Sequence, residues 1–340
     1  PATPPRAGLR PPGPLGYGLL VLAGVVALAF VPDAGASAWF LLRKPVFFYV
    51  AYGLALSWLV GTRVSVDLVR ALLRVTLVLT AFVSLATSVG RIAAGNTLWF
   101  AAIEGLTNNH KTLAVAMAPL VPLLLAMRRS RVDLAVAAFA LVAIGLSVSR
   151  TAWIASVAGL AFLVVWRGRA LAARRGLVLG VVVVGVLAAL YGPLLTRSHA
   201  QLDAARSRHS LDKRALAMVG DHPVLGMGGG ANVRYEMQTF PHYRVNGVDA
   251  HGAIQKVASE YGAVGLAGWL LFVGAMGVRL ARGATVDAPR RDGLAAPHLG
   301  LGLWAAFVAL HVNLLLSTET FSQTHWIPLG LVWGLSARRR

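Results

Sequence analysis

Apolar runs of about 16–22 residues, separated by small groups of arginines, recur along the whole chain, and each is roughly the length that crosses a bilayer as a helix. No other feature constrains the fold as strongly. The strands of a membrane barrel alternate polar and apolar residues, and these runs do not. Only 13% of the 340 residues are charged while 57% are hydrophobic; an ordinary soluble domain is nearer a quarter charged. The formal net charge of +19 raises nucleic-acid binding as a first thought. Its placement argues otherwise, because much of it lies in short loops between apolar runs, where basic residues orient a membrane protein. The expected partners are therefore membrane lipids and not nucleic acid. The chain has no cysteine, so disulfides and thiolate chemistry are excluded. No cleavable signal peptide is evident, and residues 1–14, rich in proline and arginine, read as a cytoplasmic tail.

The fold class expected is all-α: a polytopic transmembrane bundle of about ten spans with one large, partly helical loop on the outer side. The spans read as 15–32, 45–61, 69–89, 111–127, 132–149, 151–166, 176–192, 262–279, 299–317 and 325–337. One set of connections holds Arg6 and Arg10; Arg63, Arg70 and Arg74; Arg128, Arg129 and Arg131; Arg167, Arg169, Arg174 and Arg175; Arg279, Arg282, Arg290 and Arg291; and Arg338, Arg339 and Arg340. The alternate connections hold only Arg43 and Lys44, Arg91 and Lys111, Arg150, and none between Thr318 and Thr324. The positive-inside rule makes the first set cytoplasmic, together with both termini. Residues 193–261 carry eight basic and six acidic residues, but long loops translocate largely regardless of charge. Parity from both flanks puts this loop outside. The chain thus divides into N-terminal spans (1–192), the loop (193–261) and C-terminal spans (262–340). Thr97–Leu106 is apolar but too short to span and reads as a re-entrant or interfacial helix. Within the loop, Arg206–Gly220 has helical character, Asp221–Gly230 reads as a break, and a second helix is expected from near Asp249 through Glu260 into the eighth span.

This threading gathers polar residues on one side. Asn108, Asn109, His110 and Lys111 open the fourth span; Arg150 lies between spans five and six; Glu319 and His325 flank the last outer turn. The loop adds Arg206, Arg208, Lys213, Arg214, His222, His242 and His251. Charges at membrane depth cost at least about 2.5–3.5 kcal/mol on the insertion scale and commonly mark function. Arg150, flanked by small and apolar residues, is the clearest case; an arginine snorkelling to headgroups is the structural alternative. Several arginines on one face with no carboxylate cluster suit an anion, since guanidinium forks bind phosphate oxygens bidentately. Outside the cytoplasm, where nucleotides are scarce, that anion is a lipid diphosphate or a lipopolysaccharide phosphate. The loop histidines His199, His209, His222, His242 and His251 show no His-x-x-x-His spacing, and no metal site is expected. The run Gly226–Ala231 superficially resembles a dinucleotide fingerprint but follows no predicted strand, and reads as a turn. Serine-hydrolase and kinase signatures are missing.

The stretch from Arg208 to Gly226, RHSLDKRALAMVGDHPVLG, resembles the signature segment of bacterial O-antigen ligases and their polymerase relatives: an arginine, an amphipathic helix, then a His-Pro-hydrophobic-Leu-Gly turn. Downstream, AHGAIQKVASEYGAVG (Ala250–Gly265) is similar to the family's His-Asn…Gln…Glu-x-Gly-x-x-Gly pattern. Upstream, Ser149-Arg150-Thr151-Ala152-Trp153 fits its Ser-Arg followed by small and aromatic residues. Asp212 stands where the family usually has tryptophan, and Gly252 where asparagine usually follows the histidine.

The resemblance implies an enzyme that transfers a glycan from an undecaprenyl diphosphate carrier to an acceptor hydroxyl, with the acceptor a sugar of the lipid A-core in ligases and a second carrier-linked glycan in polymerases. It implies that His251 is the general base and that Arg150 and Arg208 hold the diphosphate, with Lys111 and Arg214 as further phosphate contacts. Arg214 lies six residues after Arg208, so on one helix the two point in different directions. No cofactor or metal is expected: arginines can stabilise the charge growing on the diphosphate, and a neutral imidazole suits a hydroxyl proton. Carboxylates at glycosidase spacing are not visible, which disfavours hydrolysis by a carboxylate pair. Glu260, nine residues past His251, is half a turn out of phase with it on a regular helix. A histidine that merely opens a helix remains the alternative for His251, and a transporter for an anionic lipid remains the alternative of another class, although its charges would be expected nearer the midplane.

Overall fold

The computed structural model describes residues 13–93, 110–147, 149–167, 211–232, 252–284, 299–317 and 321–337. Every regular element among the described residues is helical. In chain order these are α1 (Pro14–Ala27), α2 (Ala34–Thr62), α3 (Val66–Ala93), α4 (His110–Ala126), α5 (Arg131–Leu146), α6 (Arg150–Arg167), α7 (residues 211–221), α8 (Ala253–Ala284), α9 (Leu299–Leu316) and α10 (Gln323–Ala337). Three are long and apolar enough to cross a membrane: Ala34–Thr62, Ala253–Ala281 and Leu299–Leu316. Pro14–Ala27, Leu113–Ala126 and Arg150–Leu163 are apolar but shorter. Each expected span falls on one of these helices except 176–192, which, like Thr97–Leu106, lies outside the described residues.

One helix starts earlier than the apolar pattern suggests. α2 begins at Ala34, because Asp33 caps it by accepting a hydrogen bond from the Ala36 N–H at 2.9 Å; a carboxylate there satisfies an orphan donor and suits the helix dipole. Two stretches of α2, Leu42–Val46 and Tyr49–Leu56, are wound as π-helix. Pro45 lies within the first, and its carbonyl accepts the Tyr17 hydroxyl at 2.8 Å. α8 begins at Ala253 and continues into the expected eighth span, interrupted at Gly262.

Side-chain volume decides the packing. α1 lies along α8 with their backbones almost in contact: a Cβ on Gly16 would come within 2.5 Å of the Phe272 nitrogen, and one on Gly268 within 2.6 Å of the Gly16 oxygen. Small residues permit this approach where lipid-exposed helices gain little from apolar burial alone. Tyr17 stacks on Tyr49 at 4.2 Å and meets Phe272 and Trp326 edge-on, which ties α1, α2, α8 and α10 into one aromatic core. α9 is central, packing on α4, α6, α8 and α10.

Contact order gives the helix directions. Gly16 meets Phe272 while Gly24 meets Tyr261, so α1 and α8 are antiparallel. Ala126 meets Gly302 while Val115 meets Asn313, so α4 and α9 are antiparallel as well. Gly330 meets Tyr52 and Gly334 meets Ser57, so α2 and α10 are parallel. The N-termini of α4, α6 and α8 consequently lie at the end of the bundle where α9 finishes. The opposite end is pinned by a basic–acidic cluster. Asp133, fully buried, is bound by the Arg74 side chain and by the Arg129 and Ser130 N–H groups, while Arg129 and Arg70 reach Asp67. Ser130 and Asp133 form a capping box at the start of α5, which satisfies two orphan donors reciprocally.

Candidate active site

The end of the bundle where α9 finishes brings together the three segments that the sequence singled out. The first is Ser149–Trp153. α5 stops at Leu146, and the Ile144 carbonyl accepts both the Ser147 hydroxyl at 2.6 Å and the Trp153 indole N–H at 2.9 Å. This staple folds the chain back within three residues and leaves Arg150 exposed at the first position of α6. Serine and tryptophan around the arginine thus have a plain local purpose: they build the turn that presents it.

The second segment is the start of α8. Gly252, the residue after His251, donates its N–H to the Ser317 carbonyl at 3.1 Å, and the Thr151 hydroxyl reaches the preceding carbonyl, Leu316, at 3.4 Å. The neighbours of Arg150 and of His251 therefore dock on consecutive carbonyls at the C-terminus of α9, groups that a helix end leaves without intrahelical donors. Gly252 has φ +97, and a Cβ there would lie 2.8 Å from the Leu315 oxygen. Glycine in place of the family's asparagine fits this left-handed, crowded position.

The third segment is the His-Pro turn after α7. It plugs into a break in α8. The Met227 and Gly228 N–H groups donate to the Ser259 and Glu260 carbonyls, each at 2.9 Å. The Ala263 and Val264 N–H groups donate to the Pro223 and Val224 carbonyls at 2.8 and 3.2 Å. Gly226 (φ +71) and Gly262 (φ +63, ψ −166) meet face to face: a Cβ on Gly262 would be 2.3 Å from Val224, and one on Gly226 2.5 Å from Glu260 and Tyr261. The Asn232 amide completes the clasp, donating to Ser259 Oγ at 2.8 Å and Glu260 Oε1 at 3.3 Å, with Glu260 fully buried. The Glu-x-Gly motif is thus half of a joint whose other half is Val-Leu-Gly, and the backbone groups freed by the interrupted helix are satisfied by the turn. Gly262→Ala is expected to cost about 1–3 kcal/mol in backbone strain and about 1–3 kcal/mol more in overpacking. A thermal melt of the purified variant should show the loss; an unchanged melting temperature would mean that the joint tolerates a side chain.

Of the expected site residues, Arg150 is placed as described. Lys111 belongs to the first turn of α4, one turn before Val115, whose carbonyl accepts the Asn313 amide at 3.2 Å. Lys111 is thereby carried on a helix tied to α9. Arg214 is half-buried on α7. His251 and Arg208 lie outside the described residues, as do His199, His209 and His242. Residues 222–230 form a turn, as their glycines suggest, with Asp221 still in α7. His325 stands at the last turn, but its ring is 2% exposed and packed against Trp269, His311 and Trp326. Among the described residues no three His, Asp or Glu side chains converge as a metal-ion site would require.

Lys256 was not singled out in the sequence; it is 1% exposed. The signal available was its position in an apolar segment, four residues before Glu260.

The described residues form a helical bundle with three helices apolar and long enough to cross a membrane, and with the N-termini of α4, α6 and α8 at one end. Residues 135–270 match the family model for O-antigen ligase (Wzy_C). This region contains α6, the His-Pro turn and the break in α8, and the match supports a relation to the O-antigen ligase and polymerase superfamily. No curated protein matches the chain.

Proposed function

We propose that this protein is an O-antigen ligase: a glycosyltransferase of the bacterial inner membrane that moves a glycan from undecaprenyl diphosphate to a sugar hydroxyl of lipid A-core on the periplasmic side. The observation that carries the proposal is the docking of Thr151 and Gly252 on the consecutive carbonyls of Leu316 and Ser317. It brings the residue that follows the candidate diphosphate ligand Arg150 and the residue that follows the candidate base His251 to one helix end, although the two candidates are 101 residues apart in sequence. The helix directions support the orientation. α4, α6 and α8 all start at this end, and the arginine-rich connection 128–131 lies at the other, which the positive-inside rule assigns to the cytoplasm.

The chemistry follows from what collects there. As the glycosidic C–O bond stretches, negative charge builds on the departing diphosphate. Arg150 and Arg208 hold and stabilise it, Lys111 and Arg214 add further positive charge, and the N-terminal half-charges of α4, α6 and α8 have the same sign. His251 takes the proton from the acceptor hydroxyl as it attacks the anomeric carbon opposite the leaving group. The sugar centre is inverted, undecaprenyl diphosphate leaves, and no metal ion takes part. Residues 193–261 form the periplasmic loop, which contributes Arg208, Arg214 and His251 and lies between the two sets of spans.

A deletion strain tests the ligase assignment. Lipid A-core should lose its long glycan while carrier-linked polymer accumulates. If the polymer itself disappears, the protein is a polymerase with the same donor.

A further inference from the structure

α4 contains two prolines, Pro119 and Pro122. A proline has no N–H to give the carbonyl four residues before it, and for Pro119 that carbonyl belongs to Val115. It is the same carbonyl that Asn313 of α9 reaches with its amide, at 3.2 Å. Val115 and Asn313 are both buried. Inside an apolar bundle, a carbonyl freed by proline is satisfied from a neighbouring helix, and here Asn313 supplies the donor.

The other half of the amide makes this contact the reason for an asparagine. Asn313 Oδ1 is buried without a hydrogen-bond partner among the described residues, which is unfavourable. A leucine of similar size would avoid that cost, but it could not hold the Val115 carbonyl. The half of α4 after the prolines is clamped separately: a Cβ on Gly302 would run into Ala126, and one on Gly159 would lie 3.3 Å from Pro122 Cγ. The half before them, His110–Ala118, carries Lys111 in its first turn. Asn313 also stands one turn before Ser317. The same end of α9 holds Thr151 through the Leu316 carbonyl and Gly252 through the Ser317 carbonyl, so it ties α4, α6 and α8 together at the site.

We propose that Asn313 is a positioning residue: through the Val115 carbonyl it sets the first half of α4, and with it Lys111, against the donor diphosphate. This rests on Lys111 being a phosphate contact, as in the function proposed above. The test uses the purified full chain in phosphatidylcholine nanodiscs titrated with inorganic pyrophosphate, a measurement that needs no glycan transfer. Lys111→Ala should weaken binding by about tenfold or more, the usual worth of a hydrogen bond to a charged group. Asn313→Leu should cause most of that loss. The two together should bind no worse than Lys111→Ala alone, because residues that act through one contact are not additive. Pro119→Ala gives the Val115 carbonyl a helical donor of its own, so Asn313→Leu should be silent in that background.

Additive losses from Asn313→Leu and Lys111→Ala would overturn the proposal, as would a loss that persists in the Pro119→Ala background. So would unchanged affinity in either folded single variant, or no pyrophosphate binding by the unaltered chain. If Asn313→Leu does not fold by itself, its combination with Pro119→Ala decides: affinity equal to that of Pro119→Ala supports the role, and weaker binding overturns it. If the expected pattern holds but the unaltered protein transfers no glycan to lipid A-core, the ligase assignment fails and the positioning role stands.

Discussion

His251→Ala is expected to fold and insert, yet to transfer glycan roughly 10²–10⁴-fold more slowly than the unaltered protein, the usual consequence of losing a general base. The backbone beside it has an anchor of its own. Gly252 is fastened to the Ser317 carbonyl through its own N–H, and its left-handed conformation is set by the crowding around Leu315 and Gln255. The substitution should therefore remove the proton acceptor and leave its anchorage. Donor binding should persist, because the proposed diphosphate contacts are other side chains. The same assay run with a chelator should show no change in rate. Loss of activity on chelation, restored by zinc or magnesium, would require a metal in place of the proposed arginine chemistry. Full activity of His251→Ala would reduce the histidine to a residue that opens a helix.

Alanine at Arg150 or at Arg208 is expected to cost about 2.7–4 kcal/mol of transition-state stabilisation each, the range for removing one preorganised donor. This corresponds to a rate loss of about 10²–10³-fold at either position. Lysine should restore only part of it, because an ammonium lacks the planar fork that grips two phosphate oxygens. At Arg150 the fold should be indifferent to the change. The side chain is exposed, and the turn that presents it is held by Ser147 and Trp153 through the Ile144 carbonyl. Kinetics on the folded variants decide the point: near-normal transfer from both alanine variants would move the diphosphate clamp to other residues.

Much of the helical framework was legible because lipid-length apolar runs leave few alternatives. Arg63, Arg128 and Arg129 fall between helices, whereas Arg70 and Arg74 lie within α3 and Arg279 and Arg282 within the last turns of α8. Helix starts were less legible when a cap set them, as Asp33 does for α2 eleven residues before the apolar pattern begins. The motifs themselves were visible, but not their physical partnership. Nothing in the spacing shows that Gly226 and Gly262 must meet, since that contact depends on a helix break 36 residues downstream of the turn it receives. The cluster around Asp133 was hidden for the same reason: Arg74 and Asp67 come from a different helix, and sequence distance carries no trace of the pairing. His325 and Lys256 show a different limit. His325 was expected beside the last outer turn and Lys256 was not singled out, yet both are buried by neighbours contributed from other parts of the chain.

The most direct measurement is transfer by the purified protein from glycan-loaded undecaprenyl diphosphate to lipid A-core, with both lipid products quantified. The account predicts that glycan appears on lipid A-core, that one undecaprenyl diphosphate is released for each glycan transferred, and that His251→Ala abolishes both together. Lengthening of the carrier-linked glycan with lipid A-core left unmodified would contradict it.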